Sequence, residues 1–170
     1  MLIRKLTGAD LAEFRRIRLE GLQLAPAAFG SRWEQEQAES DDYFLTRLKE
    51  QQVWGIFNPN SALSGIAAFY YQKPDEATVC SVYLQARLRG SGAAEQLMKA
   101  LIHDAREYVS RLSLMVKADN DSAIRLYQKL GFSPVENPLL PHTINTDSII
   151  PNVTTDNNTQ RWALALKPRI

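Results

Sequence analysis

The residues of this 170-residue chain best placed to do chemistry lie in one stretch, Tyr83-Leu84-Gln85-Ala86-Arg87-Leu88-Arg89-Gly90-Ser91-Gly92-Ala93-Ala94. Gly90 and Gly92 let the backbone pass close to a bulky anion. The helix that follows would aim its free amides and positive dipole end at the same spot. Arg87 and Arg89 add charge where phosphates would sit. The stretch is not a Walker loop, because no Lys-Ser or Lys-Thr follows the last glycine. It is not the dinucleotide fingerprint either, which needs three glycines at fixed spacing. On spacing alone it reads equally well as a tight turn that holds nothing.

A second stretch, Asn120-Asp121-Ser122-Ala123-Ile124-Arg125-Leu126-Tyr127-Gln128-Lys129-Leu130-Gly131-Phe132, offers a hydroxyl and an amide. Tyr127 falls on one helical stripe with Ala123 and Leu130, so a core tyrosine is one reading of it. Asn120 suits the cap of a helix that begins at Asp121. Cys80 is the sole cysteine, so it can form no internal disulfide and cannot build a cysteine-rich zinc site. In a strand it reads as an inert small hydrophobe. His103 belongs to a long helix on a face away from the glycine loop, and His142 lies in a polar stretch. No metal is expected.

These groups need elements to position them. Thr7 and Asp10 approximate a capping box, and Leu11, Phe14, Ile17, Gly21, Leu22 and Ala25 then mark one buried helix face that Pro26 ends. Arg15, Arg16 and Arg18 read as a solvated cationic side. Ser40-Asp41-Asp42 can cap a second, shorter helix. The period then changes: Val53–Phe57, Leu63–Tyr71 and Ala77–Leu84 read as three strands joined by short turns, hence antiparallel. After Gly92, the residues Ala94, Leu97, Met98, Leu101, Ile102, Ala105 and Tyr108 form the clearest amphipathic pattern of the chain. Leu112–Val116 is a strand, Ala123–Leu130 a helix with Gly131 as its left-handed cap, and Arg161–Leu166 a closing strand. From 136 to 160 the composition turns to Asn, Thr, Pro and Asp with little periodicity, which predicts a long polar loop. The order of elements predicts an α/β domain with a mixed sheet.

Composition bounds the function. Twenty basic residues against nineteen acidic ones leave a net charge of +1, which argues against a protein built to grip nucleic acid or an anionic membrane. No run approaches 18 apolar residues, and the amino terminus carries no apolar stretch of signal-peptide length, so a cytoplasmic protein is expected.

Taken in order, the two blocks resemble the GNAT superfamily of acyl-CoA-dependent N-acetyltransferases. Arg89-Gly90-Ser91-Gly92-Ala93-Ala94 is similar to its Gln/Arg-x-x-Gly-x-Gly/Ala pyrophosphate loop. Asn120 to Phe132 is similar to its Asn-x-x-Ala-x-x-Leu-Tyr-x-Lys-x-Gly-Phe segment at every defined position. The resemblance implies one domain over 1–170, with a mixed, mostly antiparallel sheet splayed between its fourth and fifth strands and flanked by helices. It also implies acetyl-CoA as co-substrate and an amine acceptor, small molecule or protein amino group, with monomer or homodimer left open. Backbone groups near Tyr83 and Leu84 would pair with the pantetheine arm, and Arg89, Gly90, Ser91, Gly92, Ala93 and Ala94 would hold the pyrophosphate. Asn120 would bond the pantetheine region or hold the splay, and Tyr127 would protonate the departing thiolate. Many relatives place a glutamate on the fourth strand as general base. Here that stretch reads Thr78-Val79-Cys80-Ser81-Val82, which leaves Glu34 and Glu36 as candidates and a non-catalytic acyl-CoA-binding module as the alternative function.

Overall fold

A computed structural model describes residues 1–135 and 158–167. The elements run β1 (Leu2–Lys5), α1 (Leu11–Leu24), α2 (Trp33–Glu36), α3 (Asp41–Glu50), β2 (Gln52–Phe57), β3 (Leu63–Lys73) and β4 (Glu76–Leu84). They continue with α4 (Ala93–Ala105), β5 (Arg111–Lys117), α5 (Asp121–Lys129), β6 (Ser133–Pro134) and β7 (Thr159–Ala165). The capping box forms ahead of α1: the Thr7 amide donates to Asp10 at 2.8 Å and the Ala9 amide donates to Thr7 Oγ1 at 3.3 Å. α1 ends at Leu24, and Pro26 opens a short 3-10 turn instead of continuing the helix.

Seven strands form one sheet in the order β1-β2-β3-β4-β5-β7-β6. Every neighbouring pair is antiparallel except β4 and β5, which are parallel. That one parallel pair is short: Glu76, Ala77 and Thr78 lie opposite Arg111, Leu112 and Ser113, and the pairing goes no further. Beyond Thr78 the two strands part, so the expected splay between the fourth and fifth strands is present. Strand edges are rarely left bare in a native sheet, because each unpaired N–H and C=O seeks a partner. A parting inside the sheet is therefore a place where another extended chain can be seated.

Apolar residues fill both faces of the sheet. Leu97, Met98 and Leu101 of α4 pack with Phe69, Val79, Leu84 and Leu112. Phe14 and Ile17 of α1 pack with Phe44 of α3, Val53, Ile66 and Tyr83. Between Val79 and Val82 the alternation of β4 slips. Ala77, Val79, Val82 and Leu84 join the α4 cluster, whereas Cys80 and Tyr83 join the α1 cluster. One extra residue in β4 accounts for this: Tyr83 lies opposite Ile66, but Cys80 lies opposite Ala68, so a β-bulge falls at Ser81–Val82. Ser81 has φ +55°, a left-handed conformation that costs a non-glycine residue about 1–3 kcal/mol.

Three expectations change. Tyr108 is not on the buried face of α4, because the helix ends at Ala105 and the amides of both Tyr108 and Val109 turn back to the Ala105 carbonyl. Val109 then enters the core, and Tyr108 lies exposed with its ring edge-on to Tyr71. Thr159 and Gln160 belong to β7 and not to the loop, since the β5 ladder carries on to Lys117 and pairs with both. Residues 136–157 of the expected loop, His142 among them, lie outside the described residues. The third change concerns Arg18, one of the three arginines read as solvated. It is 2% exposed. Arg18 stands four residues after Phe14 and four before Leu22, so helical spacing puts it on the apolar face after all.

Candidate active site

The glycine loop connects the open end of β4 to α4 through a 3-10 turn at Ala86–Leu88. Gly90 has φ +75° and Gly92, the N-cap of α4, has φ +85°. Side chains seldom adopt either conformation, and a Cβ built on either residue meets nothing within 4 Å. The glycines are thus required by the backbone path, while the space in front of them is open. Ser91 Oγ donates to the Leu88 carbonyl and accepts from the Ala93 amide at 3.3 Å, which braces the turn from inside. The first intrahelical bond of α4 runs from the Gln96 amide to the Gly92 carbonyl. Among the described residues the amides of Gly90, Gly92, Ala94 and Glu95 have no acceptor, the condition that makes a helix start attractive to an anion. The two nearby arginines have different duties. Arg87 Nη2 donates to Ser64 Oγ at 3.1 Å, whereas Arg89 is exposed and makes no hydrogen bond or ion pair among the described residues.

The ladder tells which backbone groups of β4 face the splay. The Gln85 amide donates to the Ser64 carbonyl at 3.0 Å, so the Gln85 N–H faces β3, while its carbonyl accepts from the Leu88 amide at 2.9 Å. Antiparallel pairing alternates, and Leu84, opposite Gly65, therefore turns its N–H and C=O away from β3 and into the gap. Tyr83, expected to share that role, faces β3 with its backbone and α1 with its side chain. Its hydroxyl donates to Glu20 Oε2 at 2.8 Å. Burial, followed by the Glu20 hydrogen bond and charge, pushes the Tyr83 phenol up to about 12. Glu20 also accepts from Gln85 Nε2 at 3.2 Å, tying α1 to the end of β4. The sequence carries no signal for this contact, since the partners are 63 and 65 residues apart.

Asn120 is the N-cap of α5: its Oδ1 accepts from the Ala123 amide and the Ser122 hydroxyl, each at 3.3 Å. Its Nδ2 makes no bond among the described residues. Tyr127 is 7% exposed, its ring edge-on to Phe132 at 5.8 Å. The Phe132 amide donates to the Tyr127 carbonyl at 2.9 Å, and Gly131 at φ +99° makes that turn. Burial pushes the Tyr127 phenol up to about 12. Its hydroxyl makes no hydrogen bond among the described residues.

Glu34 is exposed on α2. Glu36, the other candidate base, is 2% exposed and gripped in parallel by Arg18, Nε to Oε1 at 2.7 Å and Nη2 to Oε2 at 3.0 Å. Burial alone would raise the Glu36 carboxyl. The Arg18 hydrogen bonds and charge, with Arg47 at 3.7 Å, outweigh burial and hold it below the usual carboxylate range. A general base works best with a value near the operating pH, so this carboxylate is unsuited to the task. Removing either partner of such a buried pair typically costs about 3–5 kcal/mol. Among the described residues, no group of three or more His, Cys, Asp or Glu side chains could hold a metal ion.

Cys80 carries the one thiol, half-buried on β4, with Sγ 3.9 Å from Gln51 Oε1. Burial raises its value, the opposite of what a nucleophilic thiolate needs. Cys80→Ala is therefore expected to retain most of the turnover and to cost stability of about 1 kcal/mol, read by steady-state rates and a denaturant titration. An acetylated Cys80 trapped before the acceptor is added would contradict this.

The sequence profile of the acetyltransferase (GNAT) family matches residues 18–132. The chain belongs to that family. The matched span holds the splay, the glycine loop and α5, and acetyl-CoA is the family's co-substrate. Among curated proteins, a mycothiol acetyltransferase of Corynebacterium efficiens is 30% identical over 131 residues, covering 71% of this chain and 43% of that protein. An uncharacterized N-acetyltransferase of Bacillus subtilis is 34% identical over 84 residues, covering 47% of this chain and 54% of that protein. The chain thus spans about half the length of the curated relatives it matches. A GNAT-family acetyltransferase structure from Streptococcus pneumoniae aligns with a TM-score of 0.74 at 17% identity over 98% of this chain and 99% of the other. A putative acetyltransferase from Salmonella typhimurium, solved with acetyl-CoA, aligns with a TM-score of 0.73 at 20% identity, covering 100% and 96%. At these identities the two structures speak for the GNAT fold. No described helix is long and apolar enough to cross a membrane.

Proposed function

We propose that this GNAT domain transfers an acetyl group from acetyl-CoA to a primary amine by direct attack, with both substrates bound at once. The observation that carries the reading is the parting of β4 from β5 after Thr78, with the Leu84 backbone turned into the gap and the open glycine loop at its end. Acetyl-CoA supplies the activated acyl group. The backbone N–H and C=O of Leu84 bind its pantetheine arm as a neighbouring strand would, and Asn120 Nδ2 donates to the same arm. The amides of Gly90, Gly92, Ala94 and Glu95, with Arg89 beside them, take the pyrophosphate charge. A β4 amide donates to the acyl oxygen as negative charge develops there. Tyr127 donates a hydrogen bond to the leaving sulfur.

The bulge stretch of β4 has no carboxylate and Glu36 is committed to Arg18, so the acceptor reacts as the free amine, its ammonium proton given up to water beforehand, and the second proton, released from nitrogen as the amide forms, passes through water to the departing thiolate. The same observation is the one point in favour of a non-catalytic acyl-CoA-binding module. Thioester consumption against a panel of small amines, amino acids and peptide amino termini separates the two. The enzyme reading expects turnover with one amine class, and kcat/KM that climbs about tenfold per pH unit until the acceptor's own pKa is reached. Tight acetyl-CoA binding with no thiol released by any amine would leave the binding module.

A further inference from the structure

The apolar pattern of β4 demands one extra residue between Val79 and Val82, because Ala77 and Val79 on one side and Val82 and Leu84 on the other must all reach the α4 cluster. It does not say where that residue is taken up. The bulge could open at Cys80 or at Ser81, and each choice would turn a different backbone amide toward the gap. Ser81 is the poorer candidate by itself, since it must adopt φ +55°.

Arg18 decides between them. Its guanidinium has three donor nitrogens, and Glu36 engages two of them, Nε and Nη2, along one edge. The remaining Nη1 donates to Ser81 Oγ at 3.0 Å. The Phe29 ring lies against the guanidinium at 5.3 Å, and Arg18, Glu36 and Ser81 are all buried. A planar cation clamped on one side by a fork has little freedom on the other, so its third donor marks one place in space. The Ser81 hydroxyl accepts it there, reached from the left-handed conformation.

We infer that Arg18 is a positioning residue for acyl transfer: held by Glu36, it pins the β4 bulge at Ser81 and so fixes which backbone amide of β4 meets the acyl oxygen. The inference deepens the proposed acetyltransfer and rests on it for its kinetic consequence, but its structural half stands without turnover. Glu36 is on α2, next to the connection that leads from α1 to α3, so the same pair ties that connection to the bulge.

The test uses two changes that keep the fold. Ser81→Ala leaves the ion pair intact and removes only its third contact. Arg18→Met together with Glu36→Met replaces the pair by apolar side chains of similar volume, so that neither of its partners is left charged and alone, and Arg47, 3.7 Å from Glu36, keeps its hydrogen bond to Tyr43. Amide hydrogen exchange across residues 79–85, which needs no turnover, is expected to quicken at least tenfold at Ser81–Tyr83 in both variants. Exchange in β2 and in α4 should stay as in the native protein. With an accepted amine, kcat per acetyl-CoA-binding site is expected to fall at least tenfold, with the acetyl-CoA Kd changed by less than twofold. Arg18→Lys, which keeps the charge but not the fork, should show the same loss. Native exchange at Ser81–Tyr83 overturns the inference, as does a lowered melting temperature with native kcat. Should the native protein turn over no amine at all, the acetyltransferase reading fails alone, and the exchange result still decides whether Arg18 pins the bulge.

Discussion

Gly92→Asp is expected to abolish acetyl-CoA binding while the domain keeps its fold. Gly92 sits at φ +85° with open space in front of it, so the substitution meets no atom and adds only backbone strain. That strain is about 1–3 kcal/mol, at its mildest for Asp and Asn, which tolerate the left-handed region better than other side chains. A domain of this size usually has stability of about 5–15 kcal/mol and survives the loss. The ligand does not fare as well. The new carboxylate projects into the space where the pyrophosphate must lie, and it competes for the α4 amides that have no other acceptor. Titration calorimetry should show affinity at least about 100-fold weaker, equivalent to about 2.7 kcal/mol. Gly92→Ala bears at least as much strain without the charge, and a much smaller loss of affinity is expected of it. Equal affinity of Gly92→Asp and the native protein would mean that the pyrophosphate lies elsewhere.

Tyr127→Phe is expected to lower turnover by about 100-fold, near the lower end of the range for acid–base catalysis, and to leave acetyl-CoA affinity and melting temperature nearly unchanged. The hydroxyl has no partner among the described residues, so its removal strands no donor or acceptor among them. Phenylalanine keeps the edge-on contact with Phe132. The size of the effect follows from the acidities. The phenol is pushed up to about 12 by burial, while a thiol ordinarily titrates near ~8.5. A full proton transfer to the departing thiolate is thus uphill, and the hydroxyl helps chiefly as a hydrogen-bond donor that moves charge off the sulfur. It also stays protonated across the working range, so no fall in rate from Tyr127 ionisation is expected below pH 10. Single-turnover measurements separate this chemistry from product release. Native single-turnover rates in the variant would make Tyr127 a core residue only.

The sequence by itself determined what depends on neighbours along the chain. The capping box at Thr7 and Asp10, the Asn120 cap, the turn at Gly131 and the glycine loop before α4 each need residues a few positions apart. Periodicity gave the order of helices and strands, because a helix face and a strand face repeat at different spacings. The two motifs brought the family with them, and with it the expected splay. Tertiary structure alone decided the rest. Whether Asn120 caps a helix or offers a free amide is undecidable from type and spacing; in the fold Oδ1 caps α5, and Nδ2 has no partner among the described residues. Arg18 looked solvated because charge is a better guide to exposure than spacing until a partner is known. Its partners, Glu36 and Ser81, stand 18 and 63 residues away. The Tyr83–Glu20 contact likewise spans 63 residues. A buried charge or a bulge is tolerated only where a distant group meets it, and that meeting is a property of how α1 lies across β4, which no local pattern encodes.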